Sequence, residues 1–171
     1  MRITTLDLLR TLTRSDRSGE RATDLLRADH HRIRELADEY RRAMHEQSDT
    51  RRAIAEEICI QLELHALVEE EIFYPAVLRH SASLVSESIE AHRSLERDIA
   101  QLERMTLADA RYDHVAIRII EVVSHHIDKE ERALFPIVEQ RLPHLLPELK
   151  KHMVRRKEQL AGSADDLEGR S

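Results

Sequence analysis

The sequence predicts an all-α protein: an up-down-up-down four-helix bundle with a short N-terminal arm and a C-terminal helical extension. Three observations predict it. Gly (3), Pro (4) and aromatics (3%, no Trp) are scarce while 35% of the 171 residues are charged, a mix that suits helices and starves strands and turns. Apolar residues recur at helical spacing in four long segments. Short connections join those segments, so antiparallel neighbours are the simplest packing.

The elements follow in order. Residues 1–20 form an N-terminal arm, an apolar patch and then a polar stretch from Ser15 to Gly19. From about 22 to 46, Leu25, Leu26, Ile33, Leu36, Ala37, Tyr40 and Met44 keep a helical period. Ser48, Asp49 and Thr50 offer an N-cap for a second helix. That helix spans about 50 to 73 and stops before Pro75, because a residue preceding proline avoids the α region. A third helix covers about 82 to 104, and a fourth about 110 to 134, stopping before Pro136. The bundle thus occupies residues 21–142 and the extension 143–171. In the extension Pro143 and Pro147 break the chain, a charged helix reaches about residue 160, and Gly162 to Ser171 read as a frayed tail.

Composition excludes several classes of function. Net charge is -6 with both signs interspersed, so no basic surface invites nucleic acid. No run approaches the ~18 consecutive apolar residues of a membrane span. The first ten residues, MRITTLDLLR, carry Asp7 inside their apolar stretch, unlike a secretory signal. Cys59 is the single cysteine, so no intrachain disulfide forms and a reducing, cytoplasmic setting is expected. Cys59 itself reads as a small apolar filler on a helix. No Gly-rich phosphate loop, G-x-S-x-G elbow or C-x-x-C pair is present.

Chemistry concentrates in a doubled segment. HALVEEEIFYP (65–75) and HIDKEERALFP (126–136) each place a His four residues before a Glu and ten before a Pro. At that spacing the imidazole and carboxylate share one helical face, one turn apart. His30 precedes His65 by 35 residues and His92 precedes His126 by 34. The two halves therefore form a pseudo-repeat, each with a lone His on one helix and a His-x-x-x-Glu on the next.

Face analysis selects among the 11 histidines. His30 shares a stripe with Leu26, Ile33 and Ala37, whereas His31 shares one with Arg27, Arg34 and Asp38. His126 lies with Ile119, Val122, Val123 and Ala133, whereas His125 lies with Glu121, Asp128 and Arg132. His65 and His92 also lie on apolar stripes. The remaining histidines, 45, 80, 114, 144 and 152, read as solvated or near loops, as do Glu70, Glu71 and Glu131. Glu69 and Glu130 stand on apolar faces, where a carboxylate is costly unless it is paired or metal-bound. A metal-free bundle could satisfy them by His–Glu hydrogen bonds. Four imidazoles and two carboxylates are many ionisable groups for such a core, and are better explained by cations. Imidazole with carboxylate suits iron, zinc or manganese. Six donors exceed the needs of one tetrahedral zinc, and two metals bridged by Glu69 and Glu130 would use them all. Glu96, one turn after His92, could bind metal, orient a ligand or bond a metal-bound water.

These residues resemble hemerythrin-like proteins of the HHE cation-binding class. The resemblance spans about 22 to 140 and is carried by Asp29-His30, Glu90-Ala91-His92, His65 and Glu69 with Phe73-Tyr74-Pro75, and His126 and Glu130 with Leu134-Phe135-Pro136. It implies a non-haem di-iron centre, two iron ions in a four-helix bundle, that meets O2, peroxide or nitric oxide. It also implies that His30, His65, His92 and His126 are terminal iron ligands and that Glu69 and Glu130 bridge. Oxygen-carrying hemerythrins place a further His one turn after the lone His of the third helix, where this chain has Glu96. Two six-coordinate irons offer roughly a dozen positions, of which these ligands fill about eight and a solvent bridge about two. The open positions favour reaction with a small diatomic or peroxide ligand, possible peroxide consumption with Glu96 as proton relay, over reversible O2 storage. The alternative is a non-catalytic sensor or store for O2, nitric oxide or iron. Oligomeric state has no signal in the sequence.

Overall fold

The computed structural model describes residues 19–44 and 49–168, with side chains to residue 160. The predicted arm up to residue 18, the Ser48 cap and His45 lie outside the described residues, as do the side chains and last residues of the predicted tail. The described chain is helical and contains no strand. In order it forms α1 (Ala22–Ala43), α2 (Asp49–Val68), a π-helical turn π1 (Glu69–Phe73), α3 (Tyr74–Glu103), α4 (Tyr112–Lys129), a second π turn π2 (Glu130–Leu134), α5 (Phe135–Arg141) and α6 (Leu146–Glu168).

α1 starts where the sequence changes chemistry. The Arg21 N–H donates to Asp24 Oδ2 at 3.1 Å, which satisfies one of the free donors of the first turn. Gly19, at φ 53°, leads into that turn, and a Cβ there would lie 2.4 Å from Asp24 Oδ2; glycine is required. The buried face of α1 runs Leu25, Leu26, His30, Ile33, Leu36, Ala37 and Tyr40, as the periodicity predicts.

The two prolines do not stop their helices. Each sits in the first turn of the helical segment that follows a π turn. The Tyr74 N–H bonds Glu69 O and the Phe135 N–H bonds Glu130 O, both i→i−5 links. A proline within an α-helix clashes with the carbonyl of residue i−4 and offers no N–H. The wider π turn displaces that carbonyl, and the extra residue leaves a gap in the ladder that a residue without N–H can fill. Chain reversal comes instead at Ser81, whose φ −152°, ψ 39° interrupts α3. An unbroken helix would separate residues 74 and 92 by about 27 Å, yet Tyr74 Oη lies 3.5 Å from His92 Nε2. The third rod of the bundle therefore begins after Ser81, near the predicted residue 82. Pro147 likewise falls in the first turn of α6, where a missing N–H costs nothing, and α6 continues through Gly162 to Glu168.

The core has two apolar layers. One holds Ile33, Leu36, Tyr40, Ile58, Leu62, Leu95, Ile99, Ile119 and Val123. The other holds Leu25, Leu26, Val68, Phe73, Val77, Val85, Leu134 and Phe135, and is closed by Leu146 and Met153 of α6. Cys59 is buried in the first layer without a disulfide. Burial pushes its thiol up to about 12, in keeping with an inert filler. No described helix is long and apolar enough to cross a membrane.

Candidate metal centre

Between the two apolar layers lies a polar one. On α1, His30 separates Leu26 from Ile33; on α2, His65 separates Leu62 from Val68; on α3, His92 separates Val85 from Leu95. On α4, His126 follows Val123, and π2 then brings Glu130 ahead of Leu134. One histidine from each of the four rods enters this layer, joined by Glu69 and Glu130, with apolar residues above and below.

All six predicted donors meet there and are buried, none more than 3% exposed. His30, His65, Glu69 and Glu130 form one set, and Glu69, His92 and His126 another; within each set the donor atoms lie within 4.8 Å of one another. The Nε2 atoms of His30 and His65 are 3.2 Å apart, as are those of His92 and His126. Both carboxylates span the halves. Glu69 Oε2 is 3.3 Å from His65 Nε2 and 3.4 Å from His92 Nε2. Glu130 Oε2 is 3.4 Å from His30 Nε2 and 3.5 Å from His126 Nε2. Glu69 Oε1 and Glu130 Oε2 are buried with no hydrogen-bond donor. An unpartnered carboxylate oxygen in a core is costly, and a cation among these donors would remove that cost. The residues present fit a metal.

Both glutamates open a π turn. Such single-turn bulges mark functional sites because they rotate the face that follows them. Here the bulge lets the glutamate face the polar layer while the aromatic and proline beyond it return to the second apolar layer.

A shell of polar partners holds the imidazoles from behind. Glu131 Oε1 is 2.9 Å from His30 Nδ1, and Glu70 Oε1 is 2.8 Å from His92 Nδ1. Arg34 in turn holds Glu131 at 3.0 Å and Asp128 at 3.1 Å. Asp29 Oδ2 faces His65 Nδ1 at 3.6 Å, beyond hydrogen-bond length. The sequence placed Glu70 and Glu131 on the solvent face. They are partly exposed, but their carboxylates turn inward, because a glutamate beside an inward-facing one can reach an imidazole on the adjacent helix.

Tyr74 is the residue sequence reasoning missed. Its ring stacks on His92 at 5.6 Å, and its Oη lies 2.8 Å from Glu69 Oε2 and 2.7 Å from Glu130 Oε1. One phenolic proton therefore serves two acceptors. Phe135 holds the matching place in the second half and stacks on His30 at 5.6 Å. The signal was the Tyr/Phe difference between two otherwise parallel segments.

The donor cluster is strongly polarised. Burial opposes a charge on His30, but the carboxylates of Glu130 and Glu131 beside its two ring nitrogens outweigh it and raise the imidazole to about 9. The same opposition between burial and the carboxylates Glu69 and Glu70 raises His92 to about 9. Burial wins at His126 and lowers it to about 4. Burial would raise the Glu130 carboxyl, but the imidazole of His126 and those of His30 and His65 hold it lowered. Burial, reinforced by Glu69 and Glu130, keeps the Tyr74 phenol well above its usual range. Tyr74 remains a proton donor.

Glu96 belongs to neither donor set and is exposed. The buried seam of α3 runs Val85, Ser88, His92, Leu95, Ile99 and Leu102, and Glu96 falls about 40° beyond His92, towards solvent. His31 and His125, the outer members of the two His-His pairs, are exposed as predicted.

Comparison with known proteins agrees with this geometry. A family model described as hemerythrin HHE cation binding domain matches residues 21–138. Among solved structures, a hemerythrin HHE cation binding domain-containing protein from Mycobacterium kansasii is similar over 84% of this chain and 88% of its own, with 27% sequence identity and a TM-score of 0.73. No curated protein matches.

Proposed function

Because the chain belongs to the hemerythrin HHE cation-binding family, we propose that its polar layer holds two iron ions and reacts with a small oxidant, O2, peroxide or nitric oxide. One observation carries the reading: four imidazole Nε2 atoms and two carboxylates converge in a core where Glu69 Oε1 and Glu130 Oε2 have no donor. His30 and His65 would hold one ion and His92 and His126 the other. Glu69 and Glu130, each within 3.5 Å of imidazoles from both halves, would bridge. When bound, an iron pair of this kind supplies ferrous–ferric redox chemistry and an open position for a small ligand.

The remaining work falls to the side chains. Glu131 and Glu70 orient His30 and His92 through their Nδ1 atoms and raise their basicity. Phe135 and Phe73, both fully buried, wall off bulk water beneath the site. Tyr74 Oη holds a proton where both carboxylates meet and would serve there as the site's proton donor. The proton-handling role passes to Tyr74 from the exposed Glu96. Ser88, whose Oγ is 3.3 Å from Glu130 Oε1, fixes the rotamer of that carboxylate.

The test is metal analysis of protein purified without added iron, followed by peroxide consumption over many turnovers. About two irons per chain, on the ligand count for two bridged ions, with sustained peroxide loss supports the reading. Stoichiometric zinc or no metal sinks the di-iron assignment. Reversible O2 or nitric oxide binding without turnover would leave a sensor or store.

A further inference from the structure

Lys157 is 2% exposed and lies on α6, beyond the residues matched by the family model. Its Nζ is 2.7 Å from both oxygens of Asp29. Asp29, itself 3% exposed, faces His65 Nδ1, a buried atom with no hydrogen-bond partner. A buried ion pair is a poor source of stability, since desolvation of both groups offsets the attraction. α6 has other means of attachment: Leu146 and Met153 are fully buried, and Arg156 grips Glu71 of π1 at 2.7 and 3.0 Å. The pseudo-repeat shows what the pair changes. In the second half the position matching Asp29 is Ala91, which has no charge and no acceptor. One half of the centre therefore has a fixed pair of opposite charges behind its α2 imidazole, and the matching position of the other half, Ala91, supplies none.

We propose that Lys157 and Asp29 are positioning residues that set the electrostatic potential behind His65 and make the two metal positions unequal. The proposal rests on the di-iron reading above. The carboxylate of Asp29, on the His65 side, favours the more positive, oxidised metal. Lys157 Nζ, held against that carboxylate, opposes it, and in a dry core neither charge is screened by salt. Removing one charge leaves the other unbalanced, so the two residues act with opposite sign.

The experiment measures iron content first, then reduction potentials by spectroelectrochemical titration, with the mixed-valent state followed by electron paramagnetic resonance. Lys157→Met should shift one of the two one-electron steps to lower potential. Asp29→Asn should shift the same step to higher potential, and the double variant should return towards wild type. Lys157→Arg, which keeps the charge, should match wild type. A merely structural pair would move both single variants the same way, with loss of metal or a lower melting point. If Lys157→Met does not fold, the comparison of Asp29→Asn with the double variant, which strands no charge, decides the matter: an equal shift in both overturns the proposal. Wild-type protein without iron overturns the di-iron reading and this proposal together. Two irons with unshifted or like-signed potentials overturn this proposal alone.

Discussion

Tyr74 Oη lies 2.7 Å from Glu130 Oε1, and 56 residues separate the two in the chain. The contact joins the two halves of the pseudo-repeat at their centre. Tyr74→Phe should fit, because Phe135 already occupies the matching place. Metal content should stay at the wild-type level while peroxide turnover falls by about 100-fold, the lower end for loss of a positioned proton donor. Unchanged turnover in a fully loaded variant would remove Tyr74 from the mechanism.

The face assignment predicts a sharp contrast between neighbours. His126→Ala or Glu130→Ala should abolish the two-metal site, whereas His125→Ala and His31→Ala, at exposed positions, should retain it. Elemental analysis of the four purified variants makes the comparison. Equal losses across all four would contradict the placement of the donors.

Glu131 and Glu70 hold imidazoles from behind, so Glu131→Gln and Glu70→Gln should each loosen metal by about 10-fold or more. Competition with a chelator of known affinity reads this directly. Arg34→Ala, which releases Glu131, should weaken metal less than Glu131→Gln. Retention of wild-type affinity in Glu131→Gln would show that the His30 Nδ1 contact does not support the site.

Chelation should lower the melting temperature, because it strands buried carboxylates among imidazoles. The metal-free protein should also respond to pH. His30 and His92 are raised to about 9 from 6.5, so their contribution is fully present below 6.5 and is lost as pH rises through 9. His126, lowered to about 4, works the other way and loses its contribution as pH falls from 6.5 through 4. Melting curves of chelated protein should therefore decline on the alkaline side between 6.5 and 9. A flat profile over that interval would show that the imidazolium–carboxylate contacts do not persist without metal.

Much of this protein was legible in its sequence. The periods of α1 and α4 identified their buried faces down to the choice between adjacent histidines, because a helix turns about 100° per residue and separates neighbours onto different faces. The doubled His-x-x-x-Glu segment identified His65, Glu69, His126 and Glu130 as inward-facing for the same reason. Proline punctuation was misread. Pro75 and Pro136 look like stops to a rule about α-helices, and the π turns that accommodate them depend on glutamates drawn into the polar layer. Glu96 shows the limit of face analysis: one turn after an inward-facing residue, a side chain can still lie on the solvent side of a narrow seam.

By itself, then, the sequence determined the helical bundle and which six His and Glu side chains face inward, since both follow from periodicity within single helices. Tertiary structure alone decided what surrounds them. Tyr74 between two carboxylates, Glu131 behind His30, and Lys157 reaching Asp29 across 128 residues are contacts between elements. No local period encodes such a contact, because it depends on which faces meet and at what height.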